Sequence, residues 1–162
     1  MHVDVSQLKA FLLDAGLVKE QDLKTAVETA EKTDKELRDV LIAEGLIAEE
    51  ELIKLEGYIL GIPFVNLAKE KIDPEVLKII PEPIAKSRNI VAFRKKGQDL
   101  EVAMMDPDDL VTIDFIKKKA NLRILPRLTT PESIKYVLQQ YSKTLQAEFG
   151  DIIQKEVVGI KS

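Results

Sequence analysis

The residues best placed to do chemistry are four aspartates close together, Asp106, Asp108, Asp109 and Asp114. Carboxylates clustered like this could supply the hard oxygen ligands of a Mg²⁺ ion. The same residues also suit a helix start. Asp106 stands before Pro107 as an N-cap before an N1 proline, and Asp108 and Asp109 fall near the positive end of the helix dipole. That structural account covers the cluster, so no metal site is assigned. The ending Gly159-Ile160-Lys161-Ser162 approaches the close of a phosphate loop, G-x4-G-K-[ST], whose amides wrap phosphates. Ile160 separates the glycine from the lysine, and the loop is not made. The chain has no Cys, no Trp and one His, His2. Disulfides, thiolate zinc and a cysteine nucleophile are excluded. A Ser-His-Asp triad is disfavoured, because the one histidine sits at a terminus. No catalytic residue is assigned, and the chain is not expected to be an enzyme.

Charge gives no nucleic-acid signal. The formal net charge is -4, whereas duplex DNA binding needs a basic face to neutralise phosphates. Arg94-Lys95-Lys96 and Lys117-Lys118-Lys119 read as solvated lysines at a turn and at a helix end. Five Phe and three Tyr are not interleaved with them as base-stacking strands would require. No apolar run approaches the ~18 residues of a membrane span. The start, Met1-His2-Val3-Asp4, lacks a basic-then-apolar signal pattern, so the expected compartment is the cytoplasm.

The elements that must carry any site fall into three parts: 1–60, 61–141 and 142–162. Over 5–60 apolar residues recur at helical spacing: Leu8, Leu12 and Leu13, then Leu23 and Val27, then Leu37, Leu41 and Ile42, then Leu52 and Leu55. Gly16 and Gly45 end two of these stretches, as residues taking the left-handed C′ conformation do. Glu20 to Asp22 and Glu49 to Glu51 suit the starts of the next helices. The reading is four short helices in two helical hairpins.

From Gly61 the texture changes to that of a small α/β domain with a mixed sheet, making the whole chain α+β. Phe64 to Leu67 reads as a short strand after Pro63. Asp73-Pro74 opens a helix to about Ile80, which Pro81 and Pro83 break. Asn89 to Arg94 and Leu100 to Met105 read as a hairpin turning at Gly97. Asp106-Pro107 opens a helix to about Lys119, Leu122 to Leu128 is a strand, and Thr130-Pro131 opens a last helix to about Tyr141. Residues 142–162, with scattered apolar residues and two glycines, read as a frayed helix or a linker.

The first part repeats itself at an offset of 29 residues, 45 minus 16. Leu8 meets Leu37, Leu12 meets Leu41, Gly16 meets Gly45, Leu17 meets Leu46, Glu20 meets Glu49 and Leu23 meets Leu52. Two such hairpins can bury each other's apolar faces with no ligand. The repeat resembles the tandem motif in the N-terminal domain of bacterial ATPases that drive type IV pilus assembly and type II secretion. Copy one spans Gln7 to Ala30 and copy two Glu36 to Ile59. Further points of likeness are Leu60-Gly61-Ile62-Pro63-Phe64-Val65-Asn66-Leu67, Ile80-Pro81-Glu82, Val102-Ala103-Met104-Met105-Asp106-Pro107 and the stretch from Ile134 to Tyr141.

The resemblance implies a non-catalytic module that docks on an inner-membrane platform or a cytoplasmic component of the machine. It also implies coupling to the module's own ATPase domain in a hexamer, where ATP and Mg²⁺ would bind. One subgroup of the family binds cyclic di-GMP through the tandem motif. The candidate nucleotide-motif positions here are Gln7, Leu8, Leu12, Gly16, Glu36, Leu37, Arg38, Leu41 and Gly45. The family's leading Arg is Gln7 and then Glu36; its third-position Gly is Lys9 and then Arg38; its closing Gln is Ala30 and then Ile59. Gln7 lacks the charge for a bidentate grip on phosphate or guanine, and Glu36 repels phosphate. The expectation is a retained frame without the nucleotide, with cyclic di-GMP sensing and a stand-alone adaptor as alternatives.

Overall fold

The structure is a computed structural model, and it describes residues 3–144. The expected linker lies outside the described residues from position 145 onward, as does His2; residues 142–144 are helical. The chain divides into two compact units between Phe64 and Val65.

The first unit is the expected four helices: α1 (Val5–Asp14), α2 (Glu20–Thr33), α3 (Leu37–Ala43) and α4 (Glu49–Leu60). Asp4 caps α1 by accepting N–H bonds from Ser6 and Gln7. Gly16 and Gly45 stop their helices at φ +66° and +70°. The two stops are bonded alike. Gly16 donates to Leu13 O and Leu17 to Leu12 O; Gly45 donates to Ile42 O and Leu46 to Leu41 O. Glu20, Asp22 and Glu49 to Glu51 occupy the first turns of α2 and α4. α2 packs on α3 and α1 on α4. The repeat pairs Leu8/Leu37, Leu12/Leu41, Val18/Ile47 and Leu23/Leu52 are all buried in one core.

The second unit holds α5 (Pro74–Leu77), α6 (Glu82–Arg88), β1 (Ile90–Lys96), β2 (Asp99–Met104), α7 (Leu110–Ala120), β3 (Arg123–Leu128) and helical residues 131–144, here α8. The sheet order is β1-β2-β3, antiparallel for the first pair and parallel for the second, hence mixed. β1 and β2 form the expected hairpin, with Gly97 at φ +60° and an irregularity between Ala92 and Arg94. The sheet and α5 to α8 bury Leu77, Ile80, Ile90, Leu100, Val102, Met104, Ile116 and Val137.

Three local expectations are corrected. Phe64 to Leu67 forms no strand: Val65 N–H donates to Leu128 O at 2.9 Å, but side chains take the groups that would extend the ladder. Leu67 N–H donates to Ser133 Oγ, Ala68 N–H to Asn66 Oδ1, and Thr129 Oγ1 donates to Val65 O. The helix opened by Pro74 ends at Leu77, and Pro81 and Pro83 then start the unforeseen α6, where proline fits the first turn. The cap of α7 is Asp109, which accepts from Thr112 N–H and Oγ1; Asp106 accepts from Asp108 N–H one turn earlier.

Candidate functional site

The starts of the two motif copies come together around a pocket of about 430 Å³ in the helical unit. Its apolar lining is Val3, Val5 and Leu8 from the N-terminal side, Val27 and Ala30 from α2, and Leu37 from α3. Its polar lining is Glu31, Asp34, Lys35, Glu36, Arg38 and Glu56. Four carboxylates thus stand against two cations.

Of the nine expected positions, Leu8, Glu36, Leu37 and Arg38 line this pocket. Leu12 and Leu41 are wholly buried between the helices, and Gly16 and Gly45 are helix stops exposed on the surface. Gln7 is exposed, with its N–H held by Asp4 Oδ1. Glu36 precedes α3 in extended geometry and makes no side-chain cap bond. The aliphatic positions of the repeat therefore serve the core first, and of the nine only Leu8 and the head of copy two, Glu36, Leu37 and Arg38, also reach the pocket wall.

Sequence reasoning missed the residue that matters most to this pocket, Glu56. It is 1% exposed, and Arg38 holds it in a fork, Nε to Oε2 at 3.1 Å and Nη2 to Oε1 at 3.2 Å. Arg38 also reaches Asp39 Oδ1 at 3.4 Å. Burial works against the Arg38 charge. The Glu56 hydrogen bond and attraction, helped by Asp39 and Glu49, outweigh it and raise the guanidinium pKa above its already high ordinary value. The offset of 29 carries Glu56 onto Val27 and Arg38 onto Lys9, so the two copies differ here. A glutamate on the apolar stripe of α4, 18 residues after an arginine that stands where copy one has Lys9, was the available signal.

The four aspartates weighed at the start have structural duties. Asp106 and Asp109 accept backbone N–H bonds, and Asp114 pairs with Lys118 at 2.9 Å. Among the described residues no group of three or more potential ligands stands close enough to hold a metal ion. The basic runs are likewise engaged in part: Arg94 pairs with Glu101, and Lys119 lies over the Phe115 ring at 5.8 Å. Among the described residues no helix is long and apolar enough to cross a membrane.

Comparison with known proteins follows the same lines. A family model described as the MshEN domain matches residues 60–148. The type IV pilus assembly ATPase PilB of Myxococcus xanthus is 25% identical over 147 residues, 91% of this chain. PilB of Thermus thermophilus is 28% identical over 137 residues, 83% of this chain. This chain spans only 26% and 15% of those two proteins. Among solved structures, MshE with cdg has a TM-score of 0.69 at 23% identity, covering 83% of this chain and 97% of that one. The N-terminal domain of XpsE has a TM-score of 0.60 at 18% identity, covering 86% and 96%. At those identities the two structures establish a shared fold.

Proposed function

The chain belongs to the MshEN domain family, and we propose that it acts as the non-catalytic docking and regulatory region of a type IV pilus assembly or type II secretion ATPase. The observation that carries this reading is the match of most of this chain to a small share of two pilus assembly ATPases, PilB of two species. In this reading the module binds an inner-membrane platform or a cytoplasmic component of the machine, on the cytoplasmic side. It passes that contact to its own ATPase domain, where ATP and Mg²⁺ would act within a hexamer. The test is deletion of these residues from the whole protein. Pilus assembly or secretion should stop while purified motor still hydrolyses ATP. Unimpaired assembly by the deletion strain, or a gene encoding no ATPase domain, overturns the reading.

A second reading, a cyclic di-GMP sensor, draws on the fold shared with MshE in its cdg structure. The pocket argues against it on charge. Glu36 stands where the motif has a cation, beside Glu31 and Asp34, and Arg38 is committed to Glu56. A dianionic nucleotide would meet net negative charge and would have to break a buried ion pair. Titration calorimetry with cyclic di-GMP should show no binding up to ~100 μM, whereas a Kd in the low micromolar range would put the sensor reading first.

A further inference from the structure

The outer side of α7 carries three large apolar side chains that the fold leaves exposed. Leu110 is 68% exposed, Val111 80% and Phe115 48%, while Ile113 and Ile116 turn inward to the core. Single exposed apolar residues are ordinary, but three on one flank of an eleven-residue helix make a contact surface. Charge along the same segment says what would cover it. Exposed Asp106 and Asp108 lie just ahead of the helix, and exposed Lys117, Lys118 and Lys119 form its last turn. Such an acidic-to-basic gradient is complementary to its own reverse.

We propose that α7 is a homotypic docking element: a second copy of this chain lays its own α7 antiparallel along it. Val111 of each copy then faces Phe115 of the other, and the acidic approach around Asp108 faces the other copy's last turn, where Lys117 and Lys119 stand beside the Asp114-paired Lys118. A parallel pairing would set like charges together at both ends. The antiparallel one is generated by a two-fold axis, the commonest symmetry of homo-oligomers. Asp114 falls near that axis, and its charge is already offset by Lys118 at 2.9 Å. A single helix pair is smaller than a standard interface, so the dimer is weak, with Kd on the order of 100 μM.

Sedimentation equilibrium of the 162-residue chain up to ~1 mM should show monomer and dimer, weakened by raised salt and weakened ~10-fold or more by Val111→Asp. Val111 is so exposed that the variant keeps its fold, which circular dichroism checks. The chain contains no cysteine, so a single introduced thiol reports proximity cleanly. Under mild oxidation the Asp114→Cys variant should form a covalent dimer ~10-fold faster than a Glu28→Cys control on the other unit, since thiols must approach within the short reach of a disulfide. A monomer at ~1 mM, a dimer indifferent to Val111→Asp, or equal cross-linking at the two positions overturns the proposal. So does a monomer in which a Val111→Cys thiol is shielded from labelling, because another part of the chain would then cover α7.

Discussion

Arg38 and Glu56 form a two-pronged ion pair between α3 and α4, at 3.1 and 3.2 Å, with the Glu56 carboxylate almost wholly out of solvent. The pair sits in the wall of the pocket at the head of the second motif copy. It gives that copy a polar lock that the first copy, with Lys9 and Val27 at the same places, does not have. Bidentate guanidinium–carboxylate geometry is the strong form of the interaction.

Removing one member should cost far more than removing both. Glu56→Ala leaves the half-buried Arg38 without its main partner and should destabilise the chain by about 3 kcal/mol. The double variant Arg38→Met with Glu56→Leu should lie within about 1 kcal/mol of the parent, because apolar side chains of similar volume can replace a buried pair. Urea denaturation of the three proteins makes the comparison. Equal losses in the single and double variants would show that the pair contributes nothing beyond its volume.

The two glycine stops should respond alike. A Cβ on Gly16 or Gly45 would meet nothing within 4 Å, so the cost is the left-handed backbone alone. Gly16→Ala and Gly45→Ala should each destabilise by about 1 kcal/mol. Gly16→Asn and Gly45→Asn should cost less, since Asn tolerates that region. Thermal melts of the four variants check this. A large loss confined to one copy would break the structural equivalence of the repeats.

Tyr141 ties α8 to the end of α5 and to the link between α5 and α6. Its hydroxyl lies 2.7 Å from Ile80 O and 3.0 Å from Leu77 O, a donor shared between two carbonyls. Burial, and then the nearby Glu82 charge, push its pKa well above the ordinary 10.0. A raised folded-state pKa means stability that is whole below pH 10 and is lost as pH rises towards the raised value. Denaturant titrations should therefore show stability falling from about pH 10 upward. Tyr141→Phe should cost about 1 kcal/mol at neutral pH and flatten that alkaline decline.

Ser133 should prove more important than its size suggests. It is fully buried, its Oγ accepts the Leu67 N–H at 2.9 Å, and its own N–H bonds Thr130 Oγ1 at 3.1 Å. Ser133→Ala removes one oxygen and strands a backbone donor next to the core. The expected loss is about 2 kcal/mol. Hydrogen exchange at Leu67 should quicken at the same time. An unchanged exchange rate would mean that another acceptor replaces the hydroxyl.

The helical repeat was legible because its signals are local. Leucine spacing sets which helix face is apolar, and a glycine at the end of each stretch sets where the helix stops. The two strands flanking Gly97 were legible for the same reason, since alternation and a turn residue need no distant partner. The segment 64–67 and the prolines 81 and 83 were not. Extended backbone becomes a strand only if a neighbour takes its hydrogen bonds. Val65 N–H does bond Leu128 O, but side chains from far along the chain, Thr129 and Ser133, took Val65 O and Leu67 N–H. Pro81 and Pro83 mark both the end of one helix and the start of another, and local sequence does not say which.

By itself the sequence determined the α+β class, the duplicated helical hairpins, the family resemblance and the uncharged Gln7 and acidic Glu36 at the heads of the two copies. Those are matters of residue type and spacing. Only the tertiary structure decided how the head of the second copy is held. It brought Arg38 and Glu56, on separate helices, within hydrogen-bonding distance, and it turned Leu110, Val111 and Phe115 outward. Both outcomes depend on how helices pack, and the pattern along one helix does not encode the rotation and distance of its neighbours.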